Sequence, residues 1–192
     1  MSLKKDINPV RSLQAKGEKA IEEFRTLDEG TSNGVNFAKT IALRYLSRAS
    51  RSTCEVESRL KEKGIKDDSI KETLQYLTEL GYLSDETFAN QWAGSKIKSR
   101  LWGKNKLIHG LKQKGISEEI IKLTIDNLGT NELDTAKLAL LKWLKNKGQA
   151  PESDKQEKLR QKAGAYRHLH AKGFPADVIY DVLKERYNGT ED

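Results

Sequence analysis

The sequence predicts an all-α protein made of three tandem three-helix repeats, forming an elongated, curved array behind an N-terminal extension. Three observations carry that expectation. One short pattern occurs three times: Leu60-Lys61-Glu62-Lys63-Gly64-Ile65, Leu111-Lys112-Gln113-Lys114-Gly115-Ile116 and Leu169-His170-Ala171-Lys172-Gly173-Phe174. Apolar residues around each copy recur at helical spacing, and no alternating strand pattern competes with them. The composition, 36% hydrophobic against 33% charged with three prolines, is too polar for one large core. It suits small helical modules with narrow apolar seams.

Each repeat glycine follows a lysine at the end of a helix-like run, the place of a left-handed residue that closes a helix. The apolar residue after it is placed to pack back on that helix. Six residues beyond the glycines stand Ile70, Ile121 and Ile179, and ten beyond stand Leu74, Ile125 and Leu183. Those offsets share one face of a following helix. Twelve residues before the first two glycines stand Ser52 and Gly103, both acceptable N-caps, and Ser52 with Glu55 makes a capping box. The third copy has Gln161 there, so its second helix is expected to start earlier, after Asp154.

A further helix precedes each pair. Its stripes are Ile41, Ala42, Tyr45, Leu46 and Ala49; Phe88, Ala89, Trp92, Ala93 and Ile97; and Ala136, Ala139, Leu140, Trp143 and Leu144. The nine helices should span about 39–48, 53–63, 67–80, 85–100, 104–114, 117–128, 133–147, 155–172 and 175–187. The expected domains are an extension over about 1–38 and repeats over about 39–81, 82–129 and 130–192. Within the extension, Asn8-Pro9 could open a helix with Leu13, Ala20, Ile21, Phe24 and Leu27 on its apolar side. Residues 28–34 read as a linker.

Charge is unevenly spread. From Thr87 to Gly115 there is no acidic residue, but there are Lys96, Lys98, Arg100, Lys104, Lys106, Lys112 and Lys114. These seven match the net charge of +7 for the whole chain. Such a concentration attracts polyanions or an acidic protein surface; a merely solvated lysine-rich face is the plainer alternative. Lys96, Arg100, Lys104 and Lys106 surround Trp102, which could stack a base between phosphate contacts or simply pack at a corner. Arg44, Arg48 and Arg51 stand at helical spacing opposite the first stripe, a row suited to carboxylates or phosphate. Trp92, Trp143, Tyr45, Tyr82 and Phe88 fall on apolar stripes and are expected in the core, with Tyr82 setting the angle between the first two repeats.

Nothing points to catalysis. The single Cys54 excludes an internal disulfide and a multi-cysteine zinc site. His168 and His170 are two residues apart on one helix, and His109 lacks a partner at ligand spacing. No glycine-rich loop with a phosphate-binding lysine is present. No enzyme activity, cofactor or metal is expected, and no apolar run is long enough for a membrane span. A monomeric cytoplasmic protein is the simplest expectation.

Several segments resemble the RecX family: Ala42 to Arg48, Ser52 to Leu60 with Gly64, the stretch Glu79-Leu80-Gly81-Tyr82-Leu83-Ser84-Asp85-Glu86-Thr87-Phe88-Ala89, Gly103 to Ile116, and Lys172-Gly173-Phe174. The resemblance covers residues of about 39–187, and its specificity lies in order and triplication rather than in one motif. It implies a regulator that binds in the groove of the RecA–single-stranded DNA filament and limits extension, ATP hydrolysis and strand exchange, with weak direct binding to single-stranded DNA in some members. The second repeat departs from the family in Ser95 to Arg100, where a denser arginine run is expected. The third has a longer loop near Gln149 to Ser153. A general nucleic-acid-binding module and a protein–protein scaffold remain open as alternatives.

Overall fold

The structure, a computed structural model, describes residues 34–129, 131–147 and 155–188. Those residues form nine helices and no strand. They are α1 (Val35–Leu46), α2 (Thr53–Glu62), α3 (Asp67–Glu79), α4 (Asp85–Arg100), α5 (Lys104–Gln113), α6 (Glu118–Asn127), α7 (Glu132–Lys147), α8 (Lys155–Lys172) and α9 (Ala176–Asn188). The possible N-terminal helix, most of the 28–34 linker and the 149–153 loop lie outside the described residues. The fold is the expected one, three tandem three-helix repeats.

Local chemistry sets the boundaries. Ser52 caps α2 with the full capping box: its hydroxyl accepts from the Glu55 amide, and the Glu55 carboxylate accepts from the Ser52 amide, both at 3.2 Å. Asp67 and Asp68 place negative charge in the first turn of α3, where the helix dipole favours it. The turn after α2 is a Schellman motif. Gly64 has φ +74°, its amide donates to Lys61 O at 2.9 Å, and the Ile65 amide donates to Leu60 O at 3.2 Å. Gly173 repeats it at φ +86° with Phe174 donating to Leu169 O. Ile65, Ile116 and Phe174, the residues after the three glycines, are all buried. As expected from Gln161, α8 starts at Lys155.

The first helix differs from expectation at both ends. It begins at Val35, because Phe37 and the fully buried Ala38 belong to its packed face. It ends at Leu46, where the Ser47 hydroxyl donates to Arg44 O at 3.0 Å and offers the last turn an alternative to further helix.

The described residues divide into two compact units, with the boundary between Phe88 and Ala89 and with Lys114–Ile116 joining the first. The core of the first is built from Leu43, Val56, Leu60, Ile70, Leu77 and Leu83, all at most 2% exposed. Tyr45 and Tyr82 pack half-buried against it. The second is centred on Leu140, Leu169, Phe174, Ile179 and Val182, with Trp143 against it.

One joint occurs inside each unit. In the first, the Ser52 hydroxyl donates to Lys114 O at 2.7 Å, and the Lys114 ammonium pairs with Glu55 at 2.6 Å. In the second, the Gly103 amide donates to Lys172 O at 2.8 Å and the Asn105 amide to Gly173 O at 3.0 Å. The N-terminal corner of a second helix therefore holds the lysine–glycine end of the next repeat's second helix.

The repeats also explain two orphaned hydroxyls. Thr73 and Thr124 are buried, and their Oγ1 atoms have no hydrogen-bond partner. Each lies nine residues beyond its repeat glycine, where the third repeat has the buried Val182. Thr73→Val and Thr124→Val should each stabilise the protein by about 1 kcal/mol, because an isosteric methyl replaces a desolvated hydroxyl. Thermal melts of the two variants check this; a lowered midpoint would show that the hydroxyls do find partners.

Candidate nucleic-acid and partner interface

The basic candidates fall at the α4–α5 corner and around it. Helix α4 ends with Leu101 in the left-handed region at φ 51°, an uncommon conformation for a branched side chain, with that side chain buried in the core of the second unit. The corner then runs through Trp102 and Gly103 into α5. Trp102 is half-buried and meets Trp92 of α4 edge-to-face, ring centroids 5.7 Å apart at 70°. The Lys96 ammonium lies 5.3 Å from the Trp92 ring and 5.5 Å from Trp102, and Lys106 lies 5.2 Å from Trp102. Two cations thus hold a tryptophan pair.

The same corner is tied to the end of α8. Lys106 Nζ donates to Ala171 O at 2.8 Å, and Lys172 Nζ donates to Arg100 O at 2.6 Å. Burial, followed by the nearby charges of Lys106, Arg100 and Lys142, holds the Lys172 ammonium below its ordinary pKa. Four cations therefore share one electropositive corner. A cleft of about 160 Å³ lies beside it, lined by Ile97, Trp102, Lys104, Leu107, Glu132 and others.

The remaining candidates separate into occupied and open groups. Lys112 pairs with Glu118 at 2.7 Å, and Lys114 with Glu55 at 2.6 Å inside the first unit. The Lys104 amide donates to Glu132 Oε1 at 2.8 Å, but its side chain is exposed, as are Lys98 and Arg100. The acid-free window thus acquires carboxylates from outside it. The arginine row does not form on α1. Because the helix stops at Leu46, Arg48 and Arg51 lie beyond it. Arg44 and Arg48 are exposed, whereas Arg51 folds over the Tyr45 ring at 4.5 Å with its NH1 3.7 Å from Glu55.

Lys142 and Lys172 were not among the sequence candidates. The signal for Lys172 was present, since it is the lysine of the triplicated lysine–glycine step; Lys142 carries no comparable mark.

His168 adds a testable electrostatic feature. Its ring stacks on Trp143 at 5.8 Å and 27°, and burial, then Lys172, lowers its pKa from the ordinary value. The unfolded chain takes up a proton near pH 6.5, while the folded state resists it, so stability present above about pH 6.5 is lost as pH falls. His168→Gln should flatten the dependence of melting temperature on pH below neutrality. A wild-type profile no steeper than the variant's would refute this.

The fold and this corner define an all-helical repeat protein with an electropositive face. Comparison with known proteins makes the class specific. Residues 38–77 match the model of the first three-helix domain of RecX, and residues 84–124 match that of the second. The chain is 36% identical over 154 residues to "Regulatory protein RecX" of Clostridium perfringens strain 13, covering 78% of this chain and 68% of that protein. It is 29% identical over 194 residues to "Regulatory protein RecX" of Corynebacterium efficiens, covering 93% and 91%. The crystal structure of RecX from Lactobacillus salivarius shares the fold, with a TM-score of 0.67 at 21% identity over 81% of this chain and 97% of that one. The chain belongs to the RecX family of regulatory proteins. Among the described residues, no helix is long and apolar enough to cross a membrane.

Proposed function

We propose that this protein modulates the RecA recombinase without catalysing a reaction itself. It lodges in the groove of the RecA–single-stranded DNA filament in the cytoplasm and limits filament extension, ATP hydrolysis and strand exchange. Repeats over about 39–81, 82–129 and 130–192, behind the 1–38 extension, act as linked binding modules of a monomer, so that weak contacts sum through effective concentration. Family membership supports the regulatory role. The observation that carries the contact surface is the α4–α5 corner, where the Lys106 and Lys172 ammonium groups are held on backbone carbonyls beside Arg100 and Lys142 and are bordered by exposed Lys98 and Lys104. Cations held in place meet an acidic protein surface or phosphate with less ordering cost than mobile ones.

The test is RecA ATPase on single-stranded DNA with the full-length protein titrated in. Hydrolysis should fall, and Lys98→Glu, Arg100→Glu and Lys104→Glu combined should weaken that inhibition. Unchanged hydrolysis at several-fold excess over filament would overturn the reading. The same corner favours a second reading, direct nucleic-acid binding without RecA. In that case the triple variant should lower the magnitude of the log–log salt slope for oligonucleotide binding by roughly 2–3.

A further inference from the structure

The third repeat carries an exposed apolar surface feature. Helices α8 and α9 leave an apolar groove of about 330 Å³, lined by Leu159, Ala163, Tyr166, Tyr180 and Leu183 together with Lys162 and Lys184. Leu159 is 69% exposed, Tyr180 64% and Tyr166 44%. A single exposed leucine needs no explanation, but a contiguous apolar strip bordered by charge marks a binding surface.

Comparison within the chain argues that the strip is specific. Tyr166 and Tyr180 lie seven residues before and seven beyond Gly173. The corresponding residues are Glu57 and Lys71 in the first repeat and Ile108 and Lys122 in the second. The fold therefore accepts polar side chains at these sites, and packing does not demand two tyrosines. Leu159 owes its place to a second departure. Helices α2 and α5 begin eleven residues before their glycines, but α8 begins eighteen before Gly173. The added turns extend one wall of the groove.

Charge selects the occupant. The charged residues lining the groove are Lys162 and Lys184, no carboxylate lines it, and α8 adds Lys155 and Lys158 on the turns that carry Leu159. We propose that the α8–α9 groove binds an acidic amphipathic helical segment of a partner protein. Apolar side chains one helical turn apart enter between Leu159, Tyr166 and Tyr180, and flanking Asp or Glu residues face α8. A single-stranded nucleic acid fits less well. The walls include the aliphatic Leu159, Ala163 and Leu183, and the Tyr166 ring already lies nearly parallel to His170, at 14° with centroids 6.1 Å apart. A second copy of the chain would bring two net charges of +7 together.

This proposal does not rest on the RecA reading, and its test needs no RecA. Full-length protein is used to select from a displayed library of amphipathic peptides, about four helical turns long, with apolar residues fixed at one-turn spacing and the polar positions randomised. Selected peptides should be enriched in Asp and Glu. Their affinity should fall at least about tenfold with Leu159→Glu or Tyr180→Glu, exposed substitutions that leave the thermal melt unchanged. Failure to recover binders, enrichment of neutral or basic peptides, or equal binding to both variants would overturn the proposal. It would also be overturned if oligothymidylate bound with an affinity abolished by Tyr180→Glu, or if the wild-type chain formed a dimer that these changes dissolve.

Discussion

Gly103→Ala is expected to destabilise the second unit by about 3 kcal/mol and to lower its melting temperature by roughly 12–20 °C. A Cβ built on Gly103 would stand 2.6 Å from both Gly173 O and Phe174 N. Both obstacles are backbone atoms, so no side-chain rotation can relieve the clash. The joint must open, and the bonds from Gly103 to Lys172 O and from Asn105 to Gly173 O weaken together. Gly94 supplies the control. It lies inside α4 with nothing within 4 Å of an added Cβ, so Gly94→Ala should stabilise by about 0.5–1 kcal/mol through reduced backbone entropy in the unfolded chain. Melts followed by circular dichroism should therefore shift in opposite directions. Equal shifts would sink the account of the joint.

The second large effect is expected at Phe174. It is 1% exposed, follows the closing glycine of α8 and sits in the second core. Phe174→Ala should cost about 3–5 kcal/mol, from lost transfer energy and the cavity left behind. Phe174→Ile copies the residue used at the matching positions Ile65 and Ile116 and should recover much of that loss. Chemical denaturation of both variants measures the difference. Equal costs would mean that the site requires an aromatic ring rather than buried volume.

Much of the architecture was legible because it is encoded locally. Capping chemistry at Ser52, closing glycines at 64, 115 and 173, and stripes at one-turn spacing fixed helix boundaries to within a few residues. The early start of α8 followed from a missing cap at Gln161. The charged surface was less legible because its partners come from elsewhere in the chain. Glu55 takes Lys114, Glu118 takes Lys112, and Glu132 reaches the amide of Lys104. A window without acids is a statement about sequence neighbours, and ion pairs answer to spatial ones. The arginine row failed for another reason. Its spacing presumed helix running on through residue 51, but Ser47 ends α1 and Arg51 turns toward Tyr45 and Glu55. Lys142 entered the electropositive corner only through packing.

The joint in the second unit is made chiefly from peptide groups, with glycine where the two chains come nearest. Amides and carbonyls are the same in every residue, so most flanking side chains can be exchanged without altering how that joint is latched. Substitutions on the outer faces can therefore alter what the surface recognises while the spacing of the two helices joined there stays put.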